Sequence, residues 1–242
     1  MRLRFALPVG VLLLLIAVAA LAPARLADAQ LARATEGRLR LADTAGTVWR
    51  GQGIVTDARG ALRLPVSWQL SPLALMSGRA ALDVSPHGEI VASGDSVALR
   101  NLRLEAPARA LDALAARGIA PAFGGDLRLD AAAFRYDGRG GDGAVDLRWD
   151  RARVAFNGAV VDLGTIVARV TPRGADLAAT FTGTGGALRS AGDVVLGNGE
   201  FGITATLTPA GPLPPELMLL MGALGRADAS GAIRVAWRGA LR

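Results

Sequence analysis

Period-two alternation constrains this chain more than any other feature. In "GAVDLRW", residues 143–149, Val145, Leu147 and Trp149 share one side of an extended chain, and Asp146 and Arg148 share the other. "GAIRVAW", residues 231–237, repeats the phrase with Ile233, Val235 and Trp237. "ALRLPVSW" does the same with Leu62, Leu64, Val66 and Trp68, and Trp49 closes the shorter "GTVW". Such alternation marks strands with one buried face. Further runs of the kind occupy 97–106, 125–136, 152–156, 175–181, 187–196 and 200–209, with glycine-rich breaks between them. The expectation is a mainly β, mostly antiparallel, curved sheet of about a dozen short strands. Pro65, inside an alternating run, belongs on an edge or in a bulge.

Two segments break the pattern. Residues 107–118, "PARALDALAARG", and 212–225, "PLPPELMLLMGALG", read as two short helices entered through proline. The second is too short in its apolar part to span a membrane. Trp-ended strands lie on both sides of 108–125, so that stretch is the expected boundary between two similar halves of one β-rich domain, residues 30–242.

Ahead of the strands, residues 5–24 carry no charge, and Arg2 and Arg4 precede them. Twenty apolar residues in a helix span about 30 Å, the thickness of the hydrocarbon core. The expectation is a transmembrane helix, with residues 1–29 as cytoplasmic tail and anchor and the bulk of the chain periplasmic. That is a single-pass inner-membrane topology with the N-terminus inside. The competing reading is a signal peptide cleaved after Ala29, where Ala27-Asp28-Ala29 has the small-x-small pattern.

The residues offer little chemistry. There is no cysteine, which removes disulfides, thiol catalysis and Cys-based zinc sites. His87, in "SPHGE", is the one histidine and reads as a turn residue without companions for a metal site. "DGRGGDG", residues 137–143, reads as a hairpin loop and not a calcium loop. The net charge of +6 comes from arginines spread along the chain, with no basic run interleaved with aromatics, so nucleic acid is not an expected partner. No nucleophile sits beside a base. The reading is a non-enzymatic protein with no cofactor and no metal.

Five stretches carry a family resemblance: "AGTVWRGQG" (45–53), "LPVSWQLSPLALMSGR" (64–79), "AVDLRWDRARV" (144–154), 160–196 and "GALGRADASGAIRVAWRGAL" (222–241). In order and spacing they resemble protein N of the type II secretion system, over essentially the whole chain. The resemblance implies a non-catalytic inner-membrane subunit whose periplasmic domain works by protein–protein contact in the export of folded proteins across the outer membrane. Its partners would be other inner-membrane secretion subunits and the secretin complex. The motif positions are Gly46, Trp49, Gly51, Trp68, Trp149, Asp150, Gly231 and Trp237. Physical reading assigns Trp68, Trp149 and Trp237 to the structural core and Trp49, Arg50 and Gln52 to partner contact. An alternative class is an AsmA-like envelope protein that binds or conducts lipid in an apolar β groove; an unfilled apolar channel would distinguish it.

Overall fold

A computed structural model describes residues 23–57, 60, 62–71, 80–85, 87–93, 96–113, 122–156, 159–197, 199–213, 218, 221–222 and 225–240. The chain divides into two compact units between Pro86 and His87.

The first unit contains helix α1 (Arg25–Ala34) and strands β1 (Leu39–Gly46), β2 (Arg50–Asp57), β3 (Arg63–Leu70) and β4 (Ala80–Ser85). The strands pair antiparallel in chain order. Pro65 is tolerated in β3 because β4 pairs only with Ser67–Leu70, so the proline faces β2 alone among the described pairings. Two side chains tie helix α1 to β1: Thr35 at its C-terminal end, whose Oγ1 accepts from the Leu39 N–H at 3.1 Å, and Asp28. Asp28 accepts hydrogen bonds from Arg40 Nε (2.9 Å), Arg40 Nη2 (2.7 Å) and the Leu41 backbone N–H (2.8 Å). The Arg40 guanidinium and the Leu41 N–H together hold the Asp28 carboxyl below its ordinary value. A lowered folded-state pKa stabilises above the unfolded value of about 3.9 and stops doing so as pH falls through the folded value. Asp28→Asn should therefore cost about 1 kcal/mol at neutral pH, discounted for the exposure of Arg40. The difference from the parent chain should be full above about pH 4 and shrink as pH falls through the lower folded value. Denaturant unfolding across pH checks this, and a difference that does not shrink with falling pH refutes it.

The second unit runs β5 (His87–Ser93), β6 (Ser96–Pro107), a 3₁₀ turn (Ala108–Ala113), β7 (Ala122–Tyr136), β8 (Gly141–Gly143), β9 (Val145–Phe156), β10 (Ala159–Arg173), β11 (Asp176–Gly185), β12 (Leu188–Gly197), β13 (Glu200–Pro209) and β14 (Ile233–Ala240). Its strand order is β5-β6-β7-β9-β10-β11-β12-β13-β14, with β8 beside β7. Every described pairing is antiparallel. Strands β7 and β10 reach 15 residues, longer than the alternation alone suggests. The "DGRG" segment is a turn: the Asp137 carboxylate accepts from the backbone N–H groups of Arg139 (3.0 Å) and Gly140 (2.8 Å), the geometry of an Asx turn.

The registers put apolar residues in line. Leu129, Leu147 and Ala168 are successive partners across β7, β9 and β10, as are Leu127, Trp149 and Ile166. Three clusters form on this face. One joins Leu102, Ala131, Phe134 and Val145; a second joins Ala108, Trp149 and Ala152; a third joins Leu188, Met221 and Ile233. No large side chain among the described residues is fully buried.

Several expectations are corrected. Among the described residues no helix is long and apolar enough to cross a membrane. The expected transmembrane helix, the single-pass inner-membrane localisation and the membrane contact through residues 5–24 therefore have no spanning helix among the described residues to rest on. Positions 5–22 of that run lie outside the described residues; Pro23 bridges to Thr47, and Ala24, 3 % exposed, donates its N–H to Gly46 O at 3.2 Å. The one helix that follows has ten residues, about 15 Å, and carries Arg25, Asp28 and Arg33. Ala29 and Gln30 lie inside it. The curved sheet is corrected to a mostly antiparallel one with local bulges, whose extra residues lie in β1, β6, β9 and β10.

The two expected short helices fare differently. Strand β6 continues through Pro107, and only a 3₁₀ turn follows, because Ala108 packs with no exposure against Trp149 and Ala152. Residues 114–121 are outside the described set. Of 212–225, Met218, Met221 and Gly222 are helical, and 214–217, 219–220 and 223–224 are outside the described residues. His87 opens strand β5 opposite Arg103 and is not in a turn.

Candidate interaction surface

The tryptophans are placed by one device used in both units. Trp68 is 9 % exposed and donates its indole N–H to Val48 O at 3.1 Å. Its ring lies over Gly51, where any Cβ would overlap the indole, so the glycine of "WRGQG" is required by close approach. Trp149, also 9 % exposed, donates its indole N–H to Gly124 O at 2.8 Å and meets Phe123 edge to face at 5.8 Å. In each case a strand-borne indole pins a neighbouring backbone carbonyl, in the β1–β2 turn for Trp68 and within β7 for Trp149, which satisfies the one polar group a buried Trp carries.

Trp237 departs from the expected core position. It is 62 % exposed. Ile233, on the same face of β14, is 3 % exposed because Met221 covers it; that cover does not extend four residues along the strand. Trp237 instead packs edge to face on Phe201 with ring centroids 5.5 Å apart.

Trp49, Arg50 and Gln52 come together at the β1–β2 turn. Thr47 N–H donates to Arg50 O (2.8 Å), Arg50 N–H donates to Thr47 Oγ1 (3.2 Å), and Leu70 N–H donates to Trp49 O (2.7 Å). Arg50 and Gln52 are exposed, Trp49 is half-buried, and Arg50 Nη2 donates to Gln69 Oε1 at 3.0 Å. The turn therefore presents two polar side chains from a backbone with little freedom.

The face of the second unit opposite its apolar clusters is charged. Arg103 pairs with Asp130 (2.7 Å), Arg128 with Glu105 (2.8 Å), Arg148 with Asp150 (2.9 Å), Arg169 with Asp146 (3.3 Å), and Arg100 with Glu89 (3.3 Å). Arg151 pairs with Asp126. The Arg148 guanidinium, helped by the Thr165 hydroxyl, holds the Asp150 carboxyl below its ordinary value. These pairs are exposed and screened by solvent; all but Arg148–Asp150 join neighbouring strands, so they contribute cross-strand matching more than stability. Their charges cancel locally, which leaves no basic stripe for a polyanion. Among the described residues no cluster of His, Asp and Glu could hold a metal ion.

Sequence reasoning missed the set formed by Phe201, Trp237, Arg234 and Arg238. The alternation separates Trp237 from the two arginines, but the strand order that makes β14 an edge is not written in any local pattern.

Comparison with known proteins agrees in one direction. The family described as type II secretion system (T2SS), protein N matches residues 37–236. A type II secretion system protein N from Klebsiella pneumoniae is 29% identical over 227 residues, covering 90% of this chain and 88% of that protein. No solved structure matches. With most of the chain matched, including the turn around Trp49 and the tryptophan-pinned strands of both units, this chain belongs to the type II secretion system protein N family.

Proposed function

We propose that this chain acts by protein–protein contact within the type II secretion apparatus, as a subunit that assists export of folded proteins across the outer membrane. Family membership gives the system and a structural, non-catalytic role. The observation that carries the contact reading is the braced β1–β2 turn, which holds exposed Arg50 and Gln52 beside half-buried Trp49. Pre-organised side chains of this kind bind without a large ordering cost. We assign Trp49, Arg50 and Gln52 to contact with other secretion subunits.

Photocrosslinking tests this in cells that produce the whole apparatus. A probe replacing Gln52 in the full chain is expected to yield adducts with other secretion subunits. Recovery of phospholipid alone overturns the contact reading and favours an apolar lipid groove.

A further inference from the structure

The geometry points to the outer edge of β14 as a site where an extended segment of another secretion subunit, alternately acidic and apolar, adds as an antiparallel strand. This rests on the protein-contact reading above and gives it a second surface and a recognition chemistry.

The edge is defined by hydrogen-bond parity. Gly197 and Glu200 face each other with two residues between them in the chain. Such a flanking pair is hydrogen-bonded, and bonded and non-bonded pairs then alternate along an antiparallel ladder. Even-numbered residues of β13 thus bond to β12 and odd-numbered ones to β14. Ile203 is opposite Trp237 and Ala205 is opposite Val235, so these β14 residues turn their backbone groups inward. Ala236, Arg238 and Ala240 turn theirs outward. The start of the strand is covered by the Ala227–Ile233 bridge, with Asp228 N–H donating to Ala232 O at 2.8 Å. Beyond it, no described residue pairs with the outer edge. Unpaired strand edges are the template for strand addition.

The side chains supply the specificity. Arg234 and Arg238 are exposed on one face of β14. Some exposed arginines on interior strands, Arg103, Arg128 and Arg169, are matched to carboxylates, while Arg135, Arg153 and Arg189 are not matched among the described residues. Arg234 and Arg238 make no ion pair among the described residues. The nearby Asp228 carboxylate accepts at Oδ1 from the Ser230 hydroxyl and the backbone N–H groups of Ser230 and Ala232, and it attracts Arg234 without an ion-pair contact. The acids Asp193 and Glu200 on the same sheet lie on β12 and β13, inward of the edge. On the opposite face, Trp237 exposes most of its ring against Phe201. An added strand with acids facing the arginines and an apolar residue facing Trp237 completes both faces. Trp and Arg are the side chains that most often dominate binding at interfaces.

The test places a photoreactive probe at Ala240 of the full chain, in cells producing the whole apparatus. The expected result is an adduct that maps to an alternating acidic–apolar segment of another secretion subunit. Two variants should each reduce it at least about tenfold, the equivalent of 1.4 kcal/mol. Ala236→Pro removes an outward N–H without breaking a ladder bond. Arg234→Glu with Arg238→Glu reverses the charge, and lysines in place of the mapped acids should then restore the adduct. Both variants should keep the parent unfolding midpoint. An adduct to a second copy of this chain, to a segment without acids, or one indifferent to both variants overturns the inference. Protein adducts from Gln52 with none from Ala240 overturn it while the contact reading stands. Phospholipid alone from both positions overturns both.

Discussion

Replacing Trp149 with alanine is expected to lower the unfolding free energy by about 3–5 kcal/mol. The indole fills the space between Ala108 and Ala152, both with no exposure, and meets Phe123 edge to face. Its N–H holds Gly124 O at 2.8 Å, so truncation leaves a cavity and also strands a carbonyl that had a partner. Trp237→Ala is the control. That ring is 62 % exposed, and its contact with Phe201 is worth about 0.5–1.5 kcal/mol beyond area. Denaturant titration of the full chain compares the two. Equal losses at Trp149 and Trp237 would overturn the assignment of one to the interior and the other to the surface.

The contrast between those two residues marks where local pattern stops informing. Both close the same phrase, and in both the alternation assigns the correct face: Val145 and Trp149 are buried while Asp146 and Arg148 are exposed, and Ile233 is buried while Arg234 is exposed. What lies on top of a face is a long-range property. The 3₁₀ turn after β6 covers Trp149, whereas Met221 reaches only the first residue of β14. The sequence carries the period of a strand but not its neighbours, and burial at a strand end depends on neighbours.

Helix α1 was obscured for another reason. Its charges at Arg25, Asp28 and Arg33 follow directly on an uncharged run, and the anchor reading absorbed the start of the helix through Ala29. One of its fixing contacts, Asp28 to Arg40 and Leu41, spans twelve and thirteen residues and has no periodic signature. The bulges are legible only in part. Glycine marks those at Gly125 and Gly164, but Asp43, Asn101 and Arg151 adopt positive φ (51°, 46° and 50°) with side chains that give no warning beyond the mild tolerance of Asn and Asp. The turn around Trp49 was legible as a motif, since Gly46 and Gly51 flank it; that Gly51 exists to admit the Trp68 ring was not.

Gly125→Ala is expected to cost about 3 kcal/mol or more, from positive-φ strain and overpacking acting together. Gly125 sits on β7 at φ +99° opposite the β9 bulge, where the register slips between Gly124 and Asp126. A Cβ there would overlap the carbonyl oxygens of Asp150 and Arg151, and backbone atoms of a paired strand cannot rotate out of the way. Gly138 separates the two causes. It has φ +76° in the Asp137 turn with open space around its Cβ position, so Gly138→Ala meets strain alone, about 1–2 kcal/mol. The Gly125 substitution also displaces Gly124, whose carbonyl accepts the Trp149 indole N–H. The two sites therefore break the same corner of the sheet, and Gly125→Ala combined with Trp149→Ala should lose less than the sum of the single losses. Unfolding midpoints of the single and double variants measure this. Strict additivity, or equal losses at Gly125 and Gly138, would show that the bulge does not position Trp149.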